Sequence, residues 1–222
     1  MIVLGLTGSI GMGKTSAART LRRLGIPVHD ADATVHRLLG AGGKAIPAIR
    51  RLFPKAVENG AVNRRILGGI VFADPAALRR LEAVLHPMVR AEEQAFLKSM
   101  HRRRQRLVVL DIPLLYETGG AARVDAVIVV SAPAALQARR VLARPGMTRE
   151  KFAQILQQQT PDAEKRRRAD FVVPTGLGHD RSLRQLKRPS SKAGSSLTPS
   201  SVPAGGRGST PGTAMPRERR RH

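Results

Sequence analysis

The chain has no cysteine and no tryptophan, and its 222 residues include only one tyrosine and five phenylalanines. The lack of cysteine excludes disulfides, thiolate metal sites and thiol nucleophiles, and it permits a reducing compartment. Because aromatic rings are so scarce, the core has to be built from leucine, isoleucine, valine and alanine. The same scarcity disfavours a surface that stacks the bases of single-stranded nucleic acid.

Long apolar segments are also missing. No run approaches the roughly 20 apolar residues that a membrane helix needs. The first residues, Met-Ile-Val-Leu-Gly-Leu, lack the basic segment that opens a signal peptide, so they predict a strand instead. We therefore expect a cytoplasmic protein with no membrane partner.

Acidic residues are few, with 16 Asp and Glu against 39 Lys and Arg, which gives a formal net charge of +23. A basic surface attracts polyanions. Runs of charge are usually solvated surface, so an arginine-rich solvated surface is one interpretation. The other is a polyanionic substrate of nucleotide size, and we expect no nucleic-acid partner.

The composition changes near the C-terminal end. From residue 189 onward Ser, Pro, Gly, Thr and Ala dominate, and large apolar residues are almost absent. Such a segment buries too little surface to offset its ordering entropy. We predict one domain over residues 1–188 and a disordered, basic tail over 189–222.

Short apolar segments alternate with helical patterns along the domain. The expected strands are 2–6, 26–28, 107–112, 126–130 and 171–173, and the expected helices are 13–24, 30–39, 44–52, 64–72, 75–100, 133–143, 148–159 and 161–168. The long pattern 75–100 is interrupted near His86-Pro87, and about 55–100 forms a helical insertion after the second strand. The alternation predicts an α/β fold of three layers, with helices on both faces of a five-stranded parallel sheet.

A complete phosphate-binding motif follows the first strand. Residues 8–15 read Gly-Ser-Ile-Gly-Met-Gly-Lys-Thr, which matches the P-loop pattern G-x-x-x-x-G-K-[ST]. Gly8 and Gly13 let the backbone curl so that successive N–H groups point at phosphate oxygens, and the following helix aims its positive end at them. We expect Lys14 to reach the β- and γ-phosphates and the Thr15 hydroxyl to bind Mg²⁺.

Other motifs narrow the class of P-loop protein. A GTPase needs an Asn-Lys-x-Asp guanine reader, and neither of the two asparagines, Asn59 and Asn63, begins one. A motor or helicase is usually longer. A small-molecule kinase is therefore the favoured class, with a nucleic-acid-binding NTPase as the alternative from another class.

A kinase also needs a carboxylate near the acceptor hydroxyl. Asp30 and Asp32 follow the second strand, at the sheet edge where ligands of parallel sheets bind. Since they are two residues apart, one can cap the next helix while the other faces the cleft. We predict that Asp32 is the base or the residue that orients the hydroxyl; the alternative is that both are helix caps.

Two further sites carry charge at the same edge. Asp111 ends a buried strand and is expected to hold Mg²⁺ through water, or else to be a buried acid hydrogen-bonded to the P-loop backbone. Arg140 and Arg144 are spaced i, i+4 near a helix end, with Arg139 beside them. Mobile arginines neutralise the charge of a transferring phosphoryl group, although a solvated helix face is the alternative.

Taken in order, these residues resemble the dephospho-coenzyme A kinase family. The resemblance is collinear over roughly 1–188, and its set of motifs is specific although only the P-loop is decisive alone. Its segments are the P-loop with Leu6-Thr7, Asp30-Ala31-Asp32, Asn63-Arg64-Arg65, Val71-Phe72, His86-Pro87, Pro113-Leu114-Leu115-Tyr116-Glu117, Arg140, Arg144, Gln159 and Ala169-Asp170-Phe171.

The resemblance implies ATP-dependent phosphorylation of the ribose 3′-hydroxyl of dephospho-CoA, the last step of coenzyme A synthesis, with Mg²⁺. It implies that the insertion binds the CoA moiety and that about 140–165 forms a lid, in a monomer or small homo-oligomer. Another nucleoside or nucleotide kinase is the alternative among enzymes. ATP and dephospho-CoA, as polyanions, would account for the basic excess.

The implied site residues fall into four groups. The catalytic residues are Asp32, Lys14 and Arg140. The ATP-binding residues are Gly8, Ser9, Ile10, Gly11, Met12, Gly13, Lys14, Thr15, Ser16, Arg140 and Arg144. The substrate-binding residues are Thr7, Asp32, Arg64, His86, Pro113, Leu114, Leu115 and Glu117, and the Mg²⁺ ligands are Thr15 and Asp111.

The chain departs from the family pattern twice. Asn63 stands where the family often has aspartate, so a helix-cap role is expected here but not a charged one. The family's last helix continues past the position of Arg188, whereas here the pattern stops at Pro189.

Overall fold

The computed structural model describes residues 1–176 of the chain. The strands are β1 (Ile2–Thr7), β2 (Val28–Asp30), β3 (Val57–Glu58), β4 (Ala61–Val62), β5 (Leu107–Asp111), β6 (Ala126–Ser131) and β7 (Phe171–Pro174). The helices are α1 (Lys14–Arg23), α2 (Ala31–Leu39), α3 (Ile46–Leu52), α4 (Arg64–Ala73), α5 (Pro75–Arg102), α6 (Ala134–Leu142), α7 (Arg149–Gln157) and α8 (Asp162–Arg168). The expected tail at 189–222 and the preceding 177–188 lie outside the described residues.

A five-stranded parallel sheet in the order β2-β5-β1-β6-β7 confirms the predicted α/β class. β6 is buried along its whole length, as expected for a strand covered on both faces. Leu4, Leu6 and Ile128 pack with Ala17 and Leu21 of α1, so the main core is built from the expected aliphatic residues.

The register brings the functional strand ends together. Asp111 of β5 lies opposite Leu6 of β1 on one side and opposite Asp30 of β2 on the other. Because all five strands run in parallel, the P-loop and both aspartates emerge at one edge of the sheet, where open α/β sheets bind ligands.

The second strand begins two residues later than the expected 26–28. Pro27 has no N–H to give to a ladder, and its carbonyl accepts a hydrogen bond from Val109 N at 2.9 Å just before the strand begins. The shift places His29 and Asp30 inside the sheet.

Helices between β2 and β5 form a lobe with its own apolar cluster. This helical lobe packs Leu38, Ile49, Leu67, Leu81 and other residues into a core separate from that of the sheet. Since Leu38 belongs to α2, the lobe extends further toward the N-terminus than the expected start at about residue 55.

The lobe contains a β-hairpin that was not predicted. β3 and β4 pair antiparallel through Asn59 and Gly60, whose φ angles are 49° and 73°. Positive φ at both central residues is typical of the type I′ turn, for which Asn-Gly is the strongest sequence signal. That dipeptide could have identified the hairpin.

The expected interruption near His86-Pro87 was wrong, because α5 is one helix of 28 residues with Pro87 inside it. Proline removes one backbone hydrogen bond from a helix. Leu81 and Leu85 are buried before the proline, and Met100 is buried after it. We attribute the continuity of the helix to this packing on both sides of the proline. Among the described helices, none is both long and apolar enough to cross a membrane.

A histidine is buried on the edge strand β2. His29 is 7% exposed, and its ring lies 5.3 Å from the Phe96 ring of α5, centroid to centroid. Its Nε2 has no hydrogen-bond partner among residues 1–176. Burial lowers the pKa of His29, and nearby Arg37 lowers it further, whereas Asp30 and Glu92 act in the opposite direction. The imidazole is therefore held neutral.

This burial predicts a loss of stability in mild acid. Below pH 6.5 the unfolded chain protonates His29 while the folded chain does not, so the free energy of unfolding falls as pH drops. We expect His29→Leu to flatten that dependence between pH 6.5 and 5.5, by up to about 1.4 kcal/mol per pH unit. Urea unfolding across the pH series measures it, with His101→Gln on the surface as control. An unchanged slope in His29→Leu contradicts the assignment.

Candidate active site

Glycines shape the P-loop at positions where a side chain would clash with β6 or strain the backbone. A Cβ on Gly8 would lie 2.4 Å from Val130 Cγ2 and 2.8 Å from the Val130 carbonyl oxygen, so the loop passes directly over β6. Gly13 caps α1 with a left-handed φ of 91°, which favours glycine. The loop therefore curls tightly between β1 and α1, as the motif requires.

A cavity of about 740 Å³ opens beside the loop. Most of the predicted nucleotide-binding residues line it, together with the predicted acceptor-side residues Asp32 and Pro113. Those nucleotide-binding residues are Gly8, Ser9, Ile10, Gly11, Gly13, Lys14, Thr15, Ser16, Arg140 and Arg144. Met12 is absent from the wall, because its side chain is buried beneath the loop and accepts a hydrogen bond from Ala132 N.

Lys14, which lines the cavity, forms an ion pair with the buried Asp111. Lys14 Nζ lies 2.7 Å from Asp111 Oδ1, and Asp111 is 2% exposed. Burial raises the pKa of Asp111 and Lys14 opposes that rise, whereas Asp30 and Asp32 add to it. Asp111 thus contacts the P-loop through the Lys14 side chain. A hydrogen bond to the P-loop backbone, one of the two roles expected for Asp111, is not among its contacts within residues 1–176.

Asp30, the last residue of β2, and Asp32 have different roles. Asp30 Oδ1 caps α2 by accepting a hydrogen bond from Ala33 N at 2.9 Å. Asp32, in the first turn of α2, is exposed and lines the cavity. The interpretation of both residues as caps is wrong, since Asp30 alone caps the helix.

Arginines at the end of α6 face the cavity. Arg139, Arg140 and Arg144 all line it. The Arg140 guanidinium donates to the Thr175 carbonyl oxygen at 3.0 Å and to Thr175 Oγ1 at 3.3 Å. Thr175 Oγ1 in turn donates to the Met12 carbonyl oxygen at 2.5 Å. Arg140 therefore ties the P-loop to the end of β7.

The predicted substrate-binding residues are dispersed, and several are not open to a ligand. Thr7 is buried and donates from Oγ1 to the Pro113 carbonyl oxygen at 2.9 Å. Leu115 is 0% exposed, so its side chain belongs to the core and not to a binding surface. Leu114 is partly exposed, but it is not among the residues that line the cavity.

Two more predicted substrate residues lie on the helical lobe, outside the cavity wall. Arg64, at the start of α4, is exposed and contacts the His36 ring on α2 through Nη1. His86 is exposed on α5. Asn63 caps α4, accepting from Arg65 N at 3.1 Å and Ile66 N at 3.2 Å. The expected cap role of Asn63 is confirmed.

Glu117 is engaged with the chain itself. Its Oε1 accepts from Thr160 N at 2.8 Å and lies 2.9 Å from Lys165 Nζ, whose side chain is 0% exposed. Burial alone would raise the pKa of Glu117, but the hydrogen bonds from Lys165 and Thr160 outweigh it and hold the pKa below its usual value. The carboxylate therefore anchors the segment between α7 and α8 in the described conformation.

Several residues that line the cavity were not predicted as site residues, among them Gln159 and Thr175. Gln159 was noted only as part of the resemblance, and its Oε1 accepts from Ile10 N at 3.1 Å. Thr175 follows β7 and lines the cavity. The rule that ligands bind at the carboxyl ends of parallel strands could have identified Thr175.

Known proteins are similar in sequence to this chain over most of its length. A family model described as dephospho-CoA kinase (CoaE) matches residues 2–177. The dephospho-CoA kinase of Paramagnetospirillum magneticum is 63% identical over 166 residues, which is 75% of this chain and 78% of the relative. That of Mesorhizobium japonicum is 56% identical over 178 residues, 80% of this chain and 89% of the relative.

Solved structures have the same fold. The crystal structure of TT1252 from Thermus thermophilus aligns with a TM-score of 0.74 at 39% identity, covering 85% of this chain and 95% of that one. The dephospho-CoA kinase from Campylobacter jejuni aligns with a TM-score of 0.66 at 23% identity, covering 86% and 96%. At that lower identity the second alignment shows the fold alone.

The buried ion pair between Glu117 and Lys165 predicts that the stability of the fold depends strongly on Lys165. Lys165→Met leaves the Glu117 carboxylate with only one of its two partners, so we expect the free energy of unfolding to fall by about 3–5 kcal/mol. Glu117→Gln in the same chain removes the unpaired charge and keeps an acceptor for Thr160 N. The double variant should recover about half or more of the loss in chemical denaturation. Additive losses would contradict the pairing.

Proposed function

Because this chain belongs to the dephospho-CoA kinase family, we propose that it transfers the γ-phosphoryl group of ATP to the ribose 3′-hydroxyl of dephospho-CoA. The products are coenzyme A and ADP, which makes this the final step of coenzyme A synthesis. One observation carries the proposal beyond the family: a complete P-loop and the exposed carboxylate of Asp32 open into the same cavity. We expect the protein to act in the cytoplasm.

The donor side uses the P-loop and nearby cations. Backbone N–H groups of the loop hold the phosphates. Lys14 has three N–H donors; one is directed to Asp111 at 2.7 Å, which leaves two for phosphate oxygens. Arg144 and Arg140 line the wall above, where a guanidinium can neutralise charge that develops on the transferring group.

The acceptor side uses Asp32. The 3′-hydroxyl oxygen forms a bond to the γ-phosphorus as the bond from that phosphorus to the bridging oxygen of ADP breaks. The hydroxyl proton passes to the Asp32 carboxylate, which is exposed and returns the proton to solvent. Positioning and charge stabilisation supply most of the rate in such a reaction.

Mg²⁺ fits the residues at this edge. Mg²⁺ usually keeps several waters and takes one or two carboxylates together with substrate phosphates. The Thr15 hydroxyl lines the cavity, and Asp111 ends the neighbouring strand β5 with its carboxylate 2.7 Å from Lys14 Nζ of the P-loop. We propose that Thr15 binds the ion directly and Asp111 binds it through water. Mg²⁺ would neutralise charge on the phosphates.

The helical lobe is the proposed site for the rest of the acceptor. Arg64 of α4 contacts the ring of His36 on α2. His36 lies one helical turn beyond Asp32, because the two residues are spaced i, i+4. The Arg64 guanidinium is therefore available to a phosphate of dephospho-CoA. His86 and Leu114 remain predicted substrate contacts, and a monomer or small homo-oligomer remains the expected state.

The reaction is tested by acceptor choice. Purified protein with ATP and Mg²⁺ should consume ATP with dephospho-CoA at least about a hundredfold faster than with AMP, uridine or shikimate, because a site built to hydrogen-bond one acceptor strongly rejects others. Coupled ADP release gives the rate, and phosphorus NMR locates the new phosphate on the 3′-oxygen. Preference for another acceptor would overturn the proposal in favour of a different P-loop kinase.

The role of Asp32 is tested by Asp32→Asn. We expect ATP affinity to remain within a few-fold while turnover falls about a hundredfold to ten-thousandfold, as for loss of a general base. Asp30→Asn is the matched control, since asparagine caps a helix as well as aspartate does. Near-normal turnover of Asp32→Asn, or an equal loss in the control, would remove the base role.

A further inference from the structure

Gln159 occupies an unusual place beside the P-loop. It lies between α7 and α8, and its Oε1 accepts a hydrogen bond from Ile10 N at 3.1 Å. Its side chain lines the cavity that also holds Lys14 and Asp32. A neutral amide is thus inserted among the charged groups that surround the phosphate site.

The hydrogen bond to Ile10 fixes which way this amide points. A backbone N–H can only donate, so the atom that faces Ile10 has to be the amide oxygen. Nε2 then points away from Ile10. Within residues 1–176 Nε2 has no hydrogen-bond partner, so both of its N–H donors are unused at the wall of the cavity.

Buried contacts hold this arrangement in place. The next residue, Thr160, donates its N–H to Glu117 Oε1 at 2.8 Å, and the buried Lys165 pairs with the same oxygen at 2.9 Å. On the other side of the Ile10 residue, Gln137 Nε2 donates to the Ile10 carbonyl oxygen at 2.8 Å. Two glutamine side chains therefore hydrogen-bond to the backbone of Ile10. The contacts of Thr160 and Lys165 with Glu117 hold the segment that carries Gln159 in place.

We propose that Gln159 is a ligand of the transferred phosphoryl group, donating from Nε2 to an oxygen of the γ-phosphate of ATP. The proposal rests on the proposed kinase function and adds a substrate contact to it. Gln159 forms and breaks no covalent bond. It supplies a fixed dipole where negative charge spreads during transfer, and such preorganised donors act strongly in a site with little water.

Two substitutions separate the donor from the acceptor of the amide. Gln159→Glu keeps an oxygen for Ile10 N but replaces the donors with a negative charge, whereas Gln159→Leu removes both functions. We expect both variants to bind ATP about tenfold to a hundredfold more weakly, the cost of losing a hydrogen bond to a charged group. ADP, which lacks the γ-phosphate, should bind to Gln159→Leu within about threefold of the wild type, because this variant adds no charge.

Titration calorimetry with ATP or ADP in the presence of Mg²⁺ measures the effect. Gln158→Glu is the matched control: the same chemical change one residue away, at an exposed position outside the cavity wall. It should leave both affinities unchanged. An equal loss for ATP and ADP would mean that Gln159 only shapes the P-loop. Unchanged ATP binding would mean that Gln159 makes no contact with the γ-phosphate, and tighter binding would mean that Gln159 competes with phosphate for Ile10 N. Each of these results overturns the proposal.

The same protein distinguishes failure of the function from failure of this inference. Calorimetry needs no acceptor, so it reads the contact between Gln159 and ATP directly. Wild-type protein that binds ATP but does not phosphorylate dephospho-CoA would sink the proposed function alone. If the wild type phosphorylates dephospho-CoA but Gln159→Leu loses affinity for ATP and ADP equally, only the role of Gln159 is overturned.

Discussion

The ion pair between Lys14 and Asp111 is the contact on which the site depends. It joins the P-loop to β5 at 2.7 Å, and its carboxylate is almost completely buried. A buried charge without a partner is expensive, so Lys14 and the strand end stabilise one another. The same contact sets the position from which Lys14 reaches phosphate. Asp30 and Asp32 raise the pKa of Asp111 while Lys14 lowers it, so the charges of the two aspartates act on the partner of the P-loop lysine.

The fold and the donor half of the site were predictable, because their signals are local. The P-loop is a contiguous pattern, and alternating strands and helices lead to one kind of sheet. The errors arose where longer contacts decide the outcome. Packing on both sides keeps α5 continuous through Pro87. The later start of β2 is different, because the missing N–H of Pro27 is a local signal.

The acceptor half was harder to predict, because its residues depend on distant partners. Glu117 was expected to bind substrate, but Thr160 and Lys165, more than 40 residues away, engage it. Leu115 was expected to bind substrate, but its side chain is buried in the core beside the sheet. Nothing near Gln159 in the sequence indicates that its amide meets Ile10, since that contact spans 149 residues.

Helix α5 belongs to both halves of the molecule. Leu81 and Leu85 pack in the helical lobe, whereas Phe96 and Leu97 pack beside Leu110 and Leu115 under the sheet. A helix of 28 residues is about 42 Å long. Because its first half packs in the lobe and its second half packs against the sheet, a shift of the lobe relative to the sheet has to displace or bend this one helix.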